Sequence, residues 1–272
     1  MADRPMPFSD PMVSALLAGR KTQTRRALNP QPVDLGGECW HLENQHGGVF
    51  GVPTEEMGRI APDYVRIQPG DRLWVRETYF QRGHWETVPG VFTKGGRPKW
   101  AFVSADHVTL FDAPATYRKG RHNADPAAVA WHKRLGRFMP RQYSRLTLIV
   151  EAVKVERLKA ISETDAIAEG LIKVIGAPAR AAELGCDWGF EGDSRHGSAI
   201  SAYAALWNSI NGPGSWEANP WVAAYTFRVI NQNIDQVAAL ARHGNADARH
   251  GQPTRQSIWI LRSSRPAICC RS

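Results

Sequence analysis

The sequence has few cysteines, and its histidines lack the spacing that is typical of a metal site. None of the 4 cysteines forms a CxxC pair, and Cys269 and Cys270 are adjacent, which is a poor arrangement for a disulfide framework. The 9 histidines show no HxxxH or HExxH spacing and no clustered acidic partner. We therefore predict a reducing compartment, no structural zinc, no catalytic metal and no cofactor.

Long apolar runs are also lacking. The N-terminal stretch MADRPMPFSD has no apolar core of the kind that a signal peptide needs. No stretch approaches the roughly 18 consecutive apolar residues that a membrane-spanning helix requires. We therefore expect a cytoplasmic protein with no membrane partner, and the oligomeric state stays open.

The composition is that of a globular protein with a basic balance. Apolar residues make up 43% of the 272 residues, enough for a sizeable core, and there are 10 tryptophans. The formal net charge is +8, which favours phosphate-bearing partners through counterion release. A charge that only keeps an indifferent surface soluble remains the alternative, because arginines spread along a chain need not form a patch.

Hydrophobic periodicity and turn residues predict both helices and strands, so the expected class is α+β. The predicted helices run from Ser9 to Gly19, from the capping box at Ser162 to Gly170, and over residues 199–210. The predicted extended segments are residues 20–26, 72–78, 144–155 with a bulge near Glu151-Ala152, and 221–230.

Less regular segments separate these elements. Residues 33–68 and 172–197 show little periodicity and are expected to be irregular. Residues 81–137 are rich in Gly, Pro, Lys, Arg and His, which indicates a long insertion with short β-like pieces. Residues 231–272 are polar and basic, with a weak helical pattern at 234–240, and are predicted to be mostly a disordered tail.

The segment of residues 19–26 is the densest polar cluster in a structured region. A lysine of lowered pKa can take the proton of a nearby hydroxyl, so Lys21 and Thr24 are a possible base and nucleophile. Residues three apart point to opposite faces of a regular strand, so the pair meets only if the chain turns between them. Sequence spacing alone therefore favours a solvated basic strand edge.

The strand of residues 72–78 has two different faces. Arg72, Trp74 and Arg76 share one face, which suits phosphate pairing and base stacking, unless Trp74 only packs under the insertion. Glu77 belongs to the other face, where a carboxylate needs a cationic partner, and Lys21 or Arg25 is the expected one.

Several segments in order resemble the ASCH family, whose fold is related to the PUA domain, and in particular its longer phage- and prophage-type members. The resemblance covers roughly residues 8–230, which are the expected domain, and it is carried by LLAGRKTQTRR, PGDRLWVRETY, MPRQYSRLTL, LKAISETDAIAEGL and LWNSINGPGSWEANPWVAAYTF. It implies a PUA-like, small, partly open β-barrel with flanking helices, here with the 81–137 insertion and a basic C-terminal tail. It also implies RNA binding in the barrel cleft.

The same resemblance implies a possible enzyme. Some short bacterial members are amidohydrolases that remove the acetyl group from N4-acetylcytidine, and their proposed catalytic groups correspond to Lys21, Thr24 and Glu169 of this sequence. In that mechanism Lys21 takes the proton of Thr24, Thr24 attacks the acetyl carbonyl, and Glu169 protonates the leaving amine or positions water. Backbone N–H groups or Arg76 would stabilise the oxyanion. The alternative for Glu169 is a surface helix residue.

Further arginines are expected at the cleft. Arg25 and Arg26 belong to the matched basic segment, and Arg141 and Arg145 lie in the segment that borders the cleft in the family. All four are candidates for binding substrate or nucleic acid, and a salt bridge at the barrel end is the alternative for the last two.

Three functions follow from these features. The first is a binding protein for RNA or a modified nucleoside with a basic cleft. The second is an enzyme on the same cleft, an amidohydrolase or a ribonuclease. The third is a phage accessory protein without a ligand.

Overall fold

A computed structural model of the chain describes residues 2–36, 38–43, 48–121, 124–174, 187–190 and 193–237. Residues 193–195 are described by their backbone only. The predicted tail lies outside the described residues from residue 238 onward. No helix in the ranges just given is long and apolar enough to cross a membrane.

The described residues combine short helices with many strands. The helices are α1 (Asp10–Leu17), α2 (Met57–Ile60), α3 (Glu163–Ala168) and α4 (Ala199–Asn211). The strands are β1 (Asp3–Pro7), β2 (Gln23–Ala27), β3 (Val33–Asp34), β4 (Cys39–Glu43), β5 (Val49–Pro53), β6 (Arg72–Arg76), β7 (Tyr79–Phe92), β8 (Pro98–Leu110), β9 (Ala130–Arg134), β10 (Thr147–Arg157), β11 (Ile172–Lys173), β12 (Trp188–Phe190), β13 (Asp193–His196) and β14 (Trp221–Ile230).

A five-stranded central sheet with the order β1-β6-β10-β14-β2 organises the chain. β1 pairs with β6 in parallel, and the other neighbours are antiparallel. The pairing of β10 with β14 shifts between Val150 and Ala152, which confirms the predicted bulge. β2 is an edge strand of this sheet, and this position leaves its outer side open for the candidate site.

Two apolar clusters cover the central sheet. The larger cluster packs Met12, Val13 and Leu16 of α1 against sheet residues such as Leu148 and Phe227. The smaller cluster packs α3 and α4 against the short segment that connects β10 to α3. Its members include Leu158 and Ile161 of that segment, Ala166 of α3, and Tyr203 and Trp207 of α4. Burial of such side chains contributes about 1.5–3 kcal/mol each, so both clusters hold the elements around β2 in place.

The α+β class is confirmed. The central sheet ends at β1 and β2, and the described strands form open sheets without a closed barrel. All three predicted helices, the bulged central strand and the strand of residues 221–230 lie where the sequence pattern placed them.

Residues 33–68 were expected to be loop-like, and this expectation is wrong. They form a three-stranded sheet of β3, β4 and β5, followed by α2. Only Leu42 and Val52 of these strands are buried, so the sheet buries too few side chains to produce an alternating pattern. Residues 172–197 likewise contain three short strands in their described part, β11 to β13.

The expectation of short β-like pieces in residues 81–137 is also wrong. β7 and β8 are 14 and 13 residues long, and β9 pairs with the first part of β7. Most residues of β7 after Gly83 are exposed or half-buried. A hairpin that is exposed on both faces has no apolar face, and therefore no period of 2 in its sequence.

The disordered tail was predicted to begin at residue 231, which is too early. Ile234 is fully buried, and the Asn233 side-chain amide donates to the carbonyl of Ser144 at 2.8 Å. The Thr147 hydroxyl donates to the carbonyl of Gln232 at 2.8 Å. Residues 231–237 are therefore packed against β10. Their composition is mostly polar, but Ile234 anchors the segment by its burial.

Gly170 connects α3 to β11 under two constraints. Its φ is +102°, and a Cβ at this position would lie 2.9 Å from the Cβ of Ala15 and 3.2 Å from the Cβ of Lys21. Gly212 has a similar φ of +99° but open space around it.

We expect Gly170→Ala to lower the free energy of unfolding by about 1–3 kcal/mol more than Gly212→Ala, because only Gly170 adds crowding to the backbone strain. Urea denaturation of both variants measures the difference. Equal losses would contradict a role of close packing at Gly170.

Candidate functional site

The chain turns sharply between α1 and β2, and this turn positions Lys21. Gly19 has a φ of +70°, and the backbone N–H groups of Arg20 and Lys21 both donate to the carbonyl of Ala15, at 2.9 and 3.1 Å. The N–H of Thr22 then donates to Ala168 at 2.9 Å. Because Lys21 precedes β2, the strict alternation of a strand does not separate its side chain from that of Thr24.

Lys21 and Glu169 form a buried ion pair. Lys21 Nζ donates to Glu169 Oε2 at 2.7 Å and to the Glu169 carbonyl at 2.8 Å, and both side chains are no more than 1% exposed. Glu169 is the residue that ends α3, so the ammonium group also satisfies a carbonyl at the negative end of a helix.

Thr24 lies on β2 opposite Tyr225 and is 1% exposed. A cavity of about 40 Å³ lies beside this edge strand, and its lining includes Thr24, Glu169, Tyr203 and Trp207. The structure therefore brings Thr24 and Glu169 to the lining of one cavity, and it places Lys21, which is outside that lining, in direct contact with Glu169.

Arg25 is the centre of a buried charge network. Its Nη2 donates to Glu156 at 2.8 Å and to Asp165 at 2.8 Å, and its Nη1 donates to Glu169 Oε1 at 3.3 Å. Glu156 also pairs with Lys154, so three cations, Lys21, Arg25 and Lys154, lie among three carboxylates, and most of the charge of the predicted basic cleft is balanced.

Burial shifts the pKa values of the groups at and beside the cavity. It lowers the pKa of Lys21 from the usual value of a lysine, and the Glu169 carboxylate partly opposes that shift. It raises the pKa of Tyr203 well above the usual value, and Glu169 adds to that shift. The Tyr203 hydroxyl therefore stays protonated and donates to Glu169 Oε1 at 3.4 Å.

Two expectations about these residues are wrong. The segment of Lys21 and Thr24 was favoured as a solvated strand edge, and both side chains are buried. Glu169 had the alternative of a surface helix residue, and it is 1% exposed. Both errors have one cause, because a contact between residues 148 positions apart removes these polar groups from solvent.

Arg26 joins the cavity lining from its other side. Its Nη2 donates to the carbonyl of Pro7 at 2.8 Å, and its guanidinium lies 5.3 Å from the centre of the Phe8 ring. Burial lowers the pKa of Arg26.

The Arg72–Trp74–Arg76 face lies outside the cavity lining and is occupied by internal contacts. Arg72 makes two hydrogen bonds to Asp3, at 2.7 and 2.8 Å. Arg76 stacks 5.2 Å from the centre of the Trp74 ring and donates to the carbonyl of Arg137. Trp74 is 9% exposed, which matches the packing alternative.

Glu77 was expected to pair with Lys21 or Arg25, and this is wrong. Its carboxylate accepts two hydrogen bonds from Arg145, at 3.1 and 2.9 Å, because Lys21 and Arg25 are held by other carboxylates. Burial raises the pKa of Glu77 against the opposing effect of Arg145.

Arg141 and Arg145 are both held in salt bridges. Arg141 contacts Asp3 and Asp235 at 2.6 Å each, and its pKa is raised by the hydrogen bond to Asp235. Neither arginine lines the cavity described above. These contacts correspond to the salt-bridge alternative.

Sequence reasoning missed four residues at the site, which are Glu156, Asp165, Tyr203 and Trp207. A signal was present, because Asp165 and Glu169, like Tyr203 and Trp207, are four positions apart and so share a helix face. In the part of the chain that the structure describes, no group of three or more His, Cys, Asp or Glu side chains is placed to hold a metal ion.

Comparisons with known proteins found no match to this chain among protein-family models, curated proteins or solved structures.

We expect the Lys21–Glu169 pair to be strongly coupled in stability. Lys21→Met leaves the buried Glu169 carboxylate with Arg25 as its one cationic partner among the described residues, and Glu169→Gln leaves the buried Lys21 ammonium without a carboxylate partner, so each should cost about 3 kcal/mol. The double variant should lose less than the sum of the single variants, by at least about 1 kcal/mol in urea denaturation. Additive losses would contradict the ion pair.

We expect alkaline destabilisation through Tyr225. Burial raises its pKa from 10.0 to about 12, so its contribution is complete below pH 10 and is lost as the pH rises through about 12. The loss amounts to about 3 kcal/mol at most. Unfolding free energies of the wild type and Tyr225→Phe, compared at moderate and alkaline pH, measure it, and parallel pH profiles would contradict the assignment.

Proposed function

We propose that this chain is an ASCH-type, PUA-like protein whose cavity beside β2 binds a neutral nucleoside and hydrolyses an amide on it, as in deacetylation of N4-acetylcytidine. The observation that carries the proposal is the buried Lys21–Glu169 contact of 2.7 Å, with Glu169 and Thr24 both lining one cavity. A base, an acid and a hydroxyl nucleophile are the groups that this reaction needs.

The charge balance of the site supports a neutral ligand. Arg25 is saturated by Glu156, Asp165 and Glu169, so it has little capacity left for a phosphate. Arg26, the other cation of the lining, donates to the carbonyl of Pro7 and lies over the Phe8 ring, so this small cavity suits the acylated edge of a base better than a polyanion.

An unpaired donor at the cavity wall supports a polar ligand. Trp207 is 5% exposed, and its indole Nε1 has no hydrogen-bond partner among the residues that the structure describes. Buried polar groups are nearly always hydrogen-bonded, so this N–H is suited to a carbonyl of the ligand.

The first half of the reaction starts when the proton of the Lys21–Glu169 ion pair passes from Lys21 to Glu169. Lys21 is then a neutral amine, and its lowered pKa makes this transfer easier. The Thr24 oxygen attacks the acetyl carbon as its proton passes to Lys21. The C–N bond then breaks as Glu169 gives its proton to the leaving amine, which leaves an acetyl ester on Thr24, a Lys21 ammonium and a Glu169 carboxylate.

The second half restores the site. The Glu169 carboxylate takes a proton from a water molecule that attacks the ester carbon. The C–O bond to Thr24 breaks, acetic acid leaves, and Lys21 returns its proton to the Thr24 oxygen. One amide and one water yield one amine and one acid, and the pair regains its starting proton.

The proposed setting is a reducing cytoplasm. The absence of CxxC pairs supports it, and Cys39 is a free thiol in the described part of the chain.

We expect the purified protein to release cytidine from N4-acetylcytidine, and Thr24→Val to lower kcat/KM by more than about 100-fold because the nucleophile is removed. Lys21→Ala and Glu169→Gln should have comparable effects. Thr22→Val is the matched control, because Thr22 is exposed and two residues away, and it should keep wild-type turnover.

No turnover by the folded wild type would reject hydrolysis of this substrate. Calorimetric titration of cytidine then separates binding without chemistry from no binding. Binding that is lost in Trp207→Phe would retain the nucleoside site.

A further inference from the structure

Up to Val237, the positive charge of the chain is concentrated in the 81–137 insertion. These residues contain 10 lysines and arginines and 4 acidic residues, a net +6, and residues 238–272 contribute a further +5 to the +8 of the whole chain. The rest of the chain up to Val237 has 18 basic and 21 acidic residues, a net −3. A charge that served only solubility would not need to be segregated in this way.

The insertion carries this charge on a two-stranded arm. β9 pairs with residues 79–83 of β7, and beyond them only β7 and β8 pair, from His84–Val103 to Phe92–Pro98. We call residues 86–100 the arm. At about 3.3 Å per residue its strands run roughly 20 Å to the tip. The Thr93 N–H donates to the Arg97 carbonyl at 2.8 Å and closes the turn.

The tip of the arm presents free cations and an exposed aromatic ring. Lys94, Arg97 and Lys99 are exposed, and they make no ion pair with any residue that the structure describes. Phe92 is 63% exposed and has no core to pack against. Arg25 and Arg72 of the central sheet are instead held by carboxylates, whereas the cations at the tip are available to a partner.

Stacked arginines support the base of the arm, where residues 86–100 join the rest of the hairpin. Arg121 lies 4.4 Å from the centre of the Trp100 ring, and Arg134 lies 4.3 Å from Phe102 and 5.2 Å from Trp85. Such contacts fix the ring planes and hold more positive charge along the hairpin. A stiff ribbon loses little conformational entropy when it binds.

We propose that the arm binds single-stranded nucleic acid, with Lys94, Arg97 and Lys99 on the phosphates and Phe92 stacked on a base. Free cations match the phosphate charge, and an exposed ring requires an unstacked base, which a single strand offers and a duplex does not. This surface is separate from the cavity beside β2, and it does not depend on the hydrolase activity.

The test is the salt dependence of binding to a fluorescent single-stranded oligouridylate of about 16 nucleotides, measured by anisotropy on the full chain. Replacing Lys94, Arg97 and Lys99 together by Gln should weaken binding and reduce the slope of log K against log salt by about 2, at 0.7 per lost contact. Phe92→Ser should weaken binding about tenfold and leave the slope unchanged.

The matched control removes three exposed charges elsewhere, with Arg59, Lys159 and Arg228 replaced together by Gln. It should keep both the affinity and the slope. Turnover of N4-acetylcytidine should be the same in the arm variants and the wild type, so failure of the hydrolase proposal stays distinguishable from failure of this one.

Three outcomes would overturn the proposal. They are no binding by the wild type, an equal loss in the control triple variant, or an unchanged slope in the arm triple variant. A duplex of equal length that competes as well as the single strand would overturn the single-strand assignment.

Discussion

The contact between the Lys21 ammonium and the Glu169 carboxylate joins elements that are distant in the chain. It ties the turn after α1 to the end of α3, and the Lys21 ammonium also satisfies a helix carbonyl there. Two buried charges are stable only with good mutual geometry. The turn at Gly19, the close backbone approach at Gly170 and the packing of α1 therefore all help to position this one contact. The lining of the cavity beside β2 depends on the same three features.

The elements that local signals encode were predictable from the sequence. Gly19 ends the first helix region, the bulge in β10 appears as a shift of apolar phase, and β14 appears as a strong apolar run. Matching the family motif also selected Lys21, Thr24 and Glu169 together. Their burial was not predictable, because it arises from a contact across 148 positions, and polar residues leave no hydrophobic pattern.

The errors in the fold have a related cause. β3 to β5 and the arm expose most of their side chains, so the alternation that identifies strands is missing there. The carboxylate partners of Arg141 and Arg145 were also not predictable from the sequence. Asp3, Asp235 and Glu77 are distant in the chain and meet these arginines only in the folded structure. Arg25 and Arg72 of the central sheet are paired with carboxylates, whereas the cations at the tip of the arm are not paired in the described part of the chain, and this difference gives the molecule two chemically different surfaces.

The bulge in β10 also constrains the length of the chain. Because pairing shifts by one residue after Val150, Val155 points to the larger core, and Glu156 shares a face with Arg25. Deleting either Glu151 or Ala152, two exposed side chains, would reverse the facing of every later residue of β10. The Val155 side chain would then lie beside the Arg25 guanidinium, and the Glu156 carboxylate would enter the core. Homologues of this chain should therefore tolerate almost any residue at these two positions, but not the loss of one of them.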